Sequence, residues 1–362
     1  MRTLITVKTN PLPFYIRYTI IAVSLVFTVI ILRGASALLI PLFAGLLLAI
    51  LLLPLVNFLE RKHLPKALAC IIAVFCFIIA FTVVNYFLTA EITGFSKELP
   101  NILAKLKIEF ASFQEWIVTK FHVEREQQSD YVSNSFNDML NGVTGFLYRL
   151  FFSLGNLVIW ILFVCIYAFF ILCYRARLVR FVMKLIEKDF SHEMPLILQE
   201  NKKVIKGYIT GLLAEFAIML VLVSSVLLIL GIKYALLLAI ITALLNVIPY
   251  IGIYTATVIA MLVTYANSTG SSAVTVGIVL LSIHLVDGII LLPRIVGSRM
   301  KLNPFIMIVA VIAGDIVWGI PGMFLFIPLA AMLKIVFENI ASLEAWAILF
   351  GEEEKKKRLK KK

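Results

Sequence analysis

The chain has 362 residues, 62% of them hydrophobic and 15% charged, with a mean hydropathy of +1.02. So much apolar surface excludes a water-soluble globule of this length and requires lipid as solvent, while the absence of period-two alternation in the apolar runs excludes a membrane β-barrel. The formal charge of +12 does not indicate nucleic-acid binding, because Lys and Arg collect in alternate loops, as in cytoplasmic loops of membrane proteins, and no aromatic platform or groove-reading helix accompanies them.

Residues 1–13 form a polar lead-in, and Phe14–Leu32 is the first predicted span, with Tyr15, Arg17 and Tyr18 at its inner end where amphipathic side chains suit the headgroup region. It is too long for a signal-peptide core and is expected to stay as an anchor. Arg33-Gly34 makes the outer turn, and Ala35–Phe58 returns inward with Pro41 and Pro54 as kink points. The basic turn Glu60–Lys66 contains His63, read as a solvated surface residue. Ala67–Ala90, free of charge and longer than the roughly 20 residues a span needs, crosses outward again. These three spans make up the first unit, residues 1–90.

Residues 91–150 are a long extracytoplasmic segment of amphipathic helices. One apolar stripe runs through Leu99, Ile102, Leu103, Leu106, Phe110, Phe113 and Ile117, and a second from Phe136 through Met139, Leu140, Val143, Phe146 and Leu147 to Leu150. The polar stretch Glu124–Ser135 is predicted to be the turn between them. The stripes need a partner: each other, the bilayer surface or another subunit. A helical hairpin packed on itself is the expected solution. Residues 151–206 hold the fourth span, Phe151–Cys173, the basic cluster Tyr174–Arg177 and an amphipathic basic helix that lies along the inner surface or couples to a neighbour. Cysteines 70, 76, 165 and 173 lack metal-ligand spacing and read as small buried hydrophobes.

Residues 207–340 carry the functional residues. The fifth span, Gly207–Leu230, has a small-residue pair, Gly207 and Gly211, that admits another helix closely, and a carboxylate, Glu215, about two turns into the apolar run. An ionisable group at that depth is costly and reads either as an ion or proton site or as a structural hydrogen-bonding group. The run Tyr234–Tyr265 is too long for one upright helix and is interrupted at Asn246-Val-Ile-Pro249-Tyr250-Ile-Gly252, as one kinked span or as two half-helices. The basic residues Arg294, Arg299 and Lys301 place the end of the next span, Ser272–Leu292, inside, so 234–265 enters and leaves from the outside. By the same reasoning Phe305–Phe337, broken at Gly319-Ile-Pro321-Gly322, dips in from the inside. Asn246 and Tyr250 at the first break and Asp315 beside the second are candidates to line an ion or solute path, since broken helices leave unpaired backbone groups and helix-end charges in mid-membrane; the plainer reading is that Asn246 caps and Pro249 kinks. His284 and Asp287 lie three apart on one helix face and form either a proton relay or a packed histidine beside an acid. Lys334 and Glu338 are expected to pair near the inner face, and residues 341–362 to form a basic cytoplasmic tail ending in Lys355–Lys362.

The motifs Gly207-Tyr-Ile-x-Gly211, Pro249-Tyr-Ile-Gly252, Pro293-x-Ile-Val-Gly297 followed by Pro304, Gly319-x-Pro321-Gly322 and Pro328-Leu-Ala-Ala resemble the AI-2E (autoinducer-2 exporter-like) transporter family across roughly residues 190–340. Leu212 stands where that family often has Gln, and Ile253 where Pro is common. The resemblance implies a permease of the bacterial inner membrane and a homo-oligomer, a pentamer. It further implies export of a small polar signalling molecule or, in some members, Na+/H+ exchange. It also places Asp287 at the acidic or amide position preceding the Pro-x-x-x-Gly motif.

The predicted fold is thus an all-α polytopic membrane protein of about six full transmembrane helices plus two re-entrant hairpins, with both termini cytoplasmic. The expected function is secondary transport of a small polar solute or of Na+ and H+, driven by an ion gradient. A Na+/H+ antiporter and a non-transporting membrane scaffold are the alternatives. An intramembrane protease using Asp287 and Asp315 ranks below them. No phosphate-cradling Gly-x-x-x-x-Gly-Lys, His-Glu-x-x-His or Gly-x-Ser-x-Gly pattern is present, so neither an enzyme nor a cofactor or metal is expected.

Overall fold

The computed structural model describes residues 13–121, 125–185, 193–246, 251–291, 294–295 and 300–352. Among these residues the chain is helical, and the only ladder-type pairing is a single bridge between Leu302 and Gly351. Seven helices are long and apolar enough to cross a membrane. Six are the predicted full crossings: α1 (Phe14–Gly34), α2 (Ser36–Arg61), α3 (Lys66–Phe121), α4 (Arg125–Leu185), α5 (Met194–Ile229) and α8 (Gly270–Val286). Between α5 and α8 lie the short helices α6 (Ala235–Leu245) and α7 (Ile251–Asn267). After α8 come α9 (Pro304–Trp318), α10 (Ile320–Asn339), which is the seventh by length, and a terminal α11 (Glu344–Phe350).

Helices α2, α3 and α4 pack through small and branched residues, among them Ala49, Val56, Ala69, Cys70, Ala73, Cys165 and Ala168. A Cβ on Gly45 would stand 2.7 Å from that of Tyr167, so glycine there sets how closely α4 approaches α2. Arg175 and Glu60 close the end of this bundle at 2.6 Å. All four cysteines are free; Cys70 and Cys165 are buried as expected, whereas Cys76 is exposed and Cys173 intermediate. His63 is exposed in its turn.

Two expectations for the extramembrane segment are corrected. The predicted turn at Glu124–Ser135 is helical from Arg125 onward, with residues 122–124 outside the described set. Arg, Glu and Gln propagate a helix at little cost once a long apolar span has nucleated it, and neither Gly nor Pro intervenes before Gly142. At 56 and 61 residues, α3 and α4 run for about 84 and 92 Å, far beyond a hydrocarbon layer of about 30 Å. Nor does the first stripe serve only a self-packed hairpin. Phe95, Leu99, Ile102 and Leu106 are buried in one cluster with Met219 and Val223 of α5 and with residues of α6, α7 and α8. The side chains of the second stripe lie outside the described residues.

That packing identifies the first hairpin. The start and the end of the α6–α7 pair are both held by the extension of α3: Tyr234 meets Phe95 edge-on with centroids 5.3 Å apart, and Lys233 pairs with Glu98 at 2.6 Å. At the other end Lys105 donates to the Ala266 carbonyl at 3.0 Å, and the Tyr265 hydroxyl to Glu109 at 3.3 Å. The pair therefore enters and leaves at one end of the molecule. The α9–α10 pair does likewise at another end, where Asn303 N–H donates to the Phe350 carbonyl at 3.0 Å and Phe337 packs edge-on to Phe350 at 5.1 Å. Gly319, at φ 62, supplies the left-handed turn between its arms, and Gly314 and Gly322 sit backbone to backbone, so that a Cβ on either would overlap the other's carbonyl.

Candidate functional site

Three separate elements bring polar side chains to one point. Glu215 projects from the buried face of α5 that also carries Tyr208, Gly211 and Met219. Asn246 terminates α6, its backbone N–H donating to the Thr242 carbonyl at 2.9 Å, while its side chain reaches away from that helix end. Asp287 begins a π-helical turn, Asp287–Leu291, that follows α8 directly. The Asn246 amide nitrogen donates to Glu215 Oε1 at 3.1 Å and to Asp287 Oδ2 at 3.0 Å, bridging the two carboxyl groups.

Both acids are buried, with Glu215 5% and Asp287 3% exposed. Among the described residues no cationic side chain pairs with either. One amide offers two N–H groups, and both are spent here, which leaves Glu215 Oε2 and Asp287 Oδ1 without a hydrogen-bond partner among the described residues. His284, one helical turn before Asp287, is buried with neither ring nitrogen partnered among the described residues. Two negative charges this close in a low-dielectric interior repel strongly and are poorly solvated. A proton or a small cation shared between them removes the repulsion, and rotating the amide would add its carbonyl oxygen as a further donor. The donors are oxygens, which suit hard cations, and no described group of three His, Cys, Asp or Glu gathers as a metal cluster.

The π turn at Asp287 has no counterpart in the regular span expected for 272–292. One signal for it exists in the sequence: Pro293 has no N–H for the carbonyl of Ile289, so the helix cannot end regularly there. Such turns recur at functional positions because the widened backbone re-aims side chains.

The other predicted site residues are dispersed. Gly252 is buried at the first break, where a Cβ would run into the Leu245 carbonyl, so it sets the approach of α7 to α6. Pro249, Tyr250, Pro293 and Gly297 lie outside the described residues. Asp315 is exposed on α9, and no hydrogen bond among the described residues joins it to Glu215 or Asp287. The tip of the second hairpin is instead tied to the end of α1: Trp318 Nε1 donates to the Leu32 carbonyl at 2.9 Å, and the Arg33 guanidinium donates to the Ile316 carbonyl, from Nε at 2.8 Å. Each helix thereby caps the other's orphan carbonyls. Only the first of the two hairpin breaks therefore contributes to the Glu215 and Asp287 cluster. Pro304 opens α9 behind an Asn303 cap whose side chain accepts from Phe305 N–H at 2.9 Å. Lys334 and Glu338 pair at 2.8 Å, with Lys334 itself buried.

Comparison with known proteins covers nearly the whole chain. The profile described as AI-2E family transporter matches residues 19–342. YueF of Bacillus subtilis (strain 168) is 25% identical over 317 residues, 85% of each chain. YhhT of Escherichia coli (strain K12) is 26% identical over 347 residues, 94% of this chain and 96% of its own. The AI-2 transport protein TqsA of Escherichia coli (strain K12) is 24% identical over 341 residues, 92% and 95% of the two chains.

Proposed function

Because the chain belongs to the AI-2E transporter family, and is thus a multi-pass membrane transporter, we propose that it works as a secondary transporter whose coupling ion is taken up at Glu215, Asn246 and Asp287. The observation that carries this reading is the amide-bridged pair of buried carboxyl groups, each with one oxygen that finds no partner among the described residues. A structural role alone would favour an apolar or fully satisfied arrangement at lower cost. Binding a proton or Na+ changes the charge at the junction of α5, the first hairpin and α8, and so biases how these elements pack. The transported solute is a small polar molecule. Similarity to the AI-2 transport protein TqsA supports an AI-2-like cargo, and export is the direction that the resemblance of the motifs to the AI-2E family implies.

Exchange of Na+ for H+ without a solute is the second reading, favoured because the two carboxyl groups lie within hydrogen-bond distance of one amide and offer only oxygen donors. A scaffold role fits less well, since Glu215 and Asp287 face each other and not lipid. The distribution of Lys and Arg supports placing both termini in the cytoplasm of a bacterial plasma membrane.

The test uses purified protein in proteoliposomes loaded with the pH dye pyranine. A sodium chloride pulse should change internal pH in wild type. No response to sodium, together with no response to an imposed pH gradient in solute-loaded vesicles, would remove the ion-coupled reading.

A further inference from the structure

We infer that Tyr208 is a positioning residue that latches the second hairpin to the helix carrying Glu215, by supplying a hydrogen bond that Pro328 denies to Phe324. In an uninterrupted α-helix the carbonyl of residue 324 accepts from the N–H of residue 328. Residue 328 is a proline inside α10 and has no N–H to give. The carbonyl is nonetheless satisfied, because the Tyr208 hydroxyl on α5 donates to it at 3.1 Å. The rings of Tyr208 and Phe324 support the bond with centroids 5.8 Å apart.

Burial makes the bond consequential. Tyr208 is 2% exposed and Pro328 is buried, so losing the hydroxyl would leave a carbonyl unsatisfied away from water. Tyr208 precedes Glu215 by seven residues, two helical turns, and both belong to the buried face of α5. One stripe of α5 therefore carries the latch and one of the two carboxyl groups. A proline inside a helix is where that helix bends. The segment of α10 before Pro328, which leads back to the Gly319 turn, is thus jointed to the rest and held from outside by Tyr208. Releasing the latch lets that segment move against α5 without breaking an intrahelical bond, since the proline has already removed it. The consequence for flux rests on the transport reading above; the latch itself does not.

The experiment is a cycle of Y208F, P328A and Y208F/P328A, melted in detergent and assayed with pyranine-loaded proteoliposomes under a sodium chloride pulse. Y208F should lower the melting temperature. It should also cut sodium-driven proton flux by about tenfold, the equivalent of one ordinary hydrogen bond, with the half-saturating sodium concentration unchanged. P328A restores the N–H within α10, so adding Y208F to it should cost nothing further in melting temperature or rate. Phe keeps the ring, so each arm of the cycle reports the hydroxyl alone and packing of the ring cancels. The latch is overturned if the double variant melts as far below P328A as Y208F melts below wild type, or if Y208F matches wild type in both assays. Should P328A not assemble, P328L serves, because any residue with an N–H restores the bond. Absence of sodium-driven flux in wild type would count against ion coupling, and the melting cycle would still decide the latch.

Discussion

Asp287→Asn tests the site most directly, because it removes one charge while keeping shape and hydrogen-bonding capacity. The Asn246 amide lies 3.1 Å from a Glu215 oxygen and 3.0 Å from an Asp287 oxygen, so those oxygens are no more than about 6 Å apart. Two unit charges at that separation repel by about 3 kcal/mol at an effective dielectric constant of about 20. Wild type bears this repulsion whenever both acids are deprotonated and no cation lies between them; D287N never does. The variant should therefore melt at or above the wild-type temperature in alkaline, sodium-free buffer, and the difference should shrink as acid or sodium neutralises the wild-type pair. Transport should move the other way, falling more than tenfold at every pH, because a neutral amide cannot exchange a proton or balance a bound cation. The assays are thermal unfolding in detergent across pH, with and without sodium, and pyranine-reported flux in proteoliposomes. Retained flux in a normally assembled D287N protein, or a lower melting temperature at all pH values, would refute the charge argument.

Other expected outcomes concern the fold and its orientation. Gly314→Ala should destabilise the second hairpin by more than about 2 kcal/mol, since its Cβ would overlap the Gly322 carbonyl and the two backbones cannot both stay in place; yield and melting temperature report it, and a fully stable G314A would show that the arms separate freely. Glu98→Gln should matter little and only in a defined pH range. The contact between Glu98 and Lys233 lowers the carboxyl's pKa and raises the lysine's, so the pair stabilises from the ordinary carboxylate range up to the ordinary lysine value of about 10.4, losing that contribution as pH falls through the lowered value or rises through the raised one. Any deficit in E98Q should accordingly vanish in strongly alkaline buffer and in high salt. Cysteines introduced at Ser268 and Lys301 should react with impermeant maleimide from opposite faces of right-side-out vesicles; labelling from one face would overturn the orientation of both hairpins.

Much of the architecture is legible along the chain because its causes are local. Charge-free runs such as Ala67–Ala90 must lie in lipid, and the Gly319-Ile-Pro-Gly322 break ends one helix and starts another by backbone stereochemistry alone. The distribution of Lys and Arg is the local signal from which an orientation is expected. Where a local signal is weak the reading fails: the polar segment after Glu124 resembles a turn in composition, yet its residues are good enough helix formers to extend α4.

Hydropathy, punctuation and charge act within a window of a few turns, so the multi-pass helical plan, its two interrupted pairs and the acids inside apolar runs could be read directly along the chain. Which of those acids share a site emerges from the packing of the helices. Asn246 reaches Glu215 and Asp287 across 31 and 41 residues, Asp287 stands at the start of a π turn, and Asp315, on the hairpin that docks on α1, is exposed. The physical reason is that such meetings depend on how helices pack against one another, and packing is set jointly by many distant side chains rather than by any one stretch of chain.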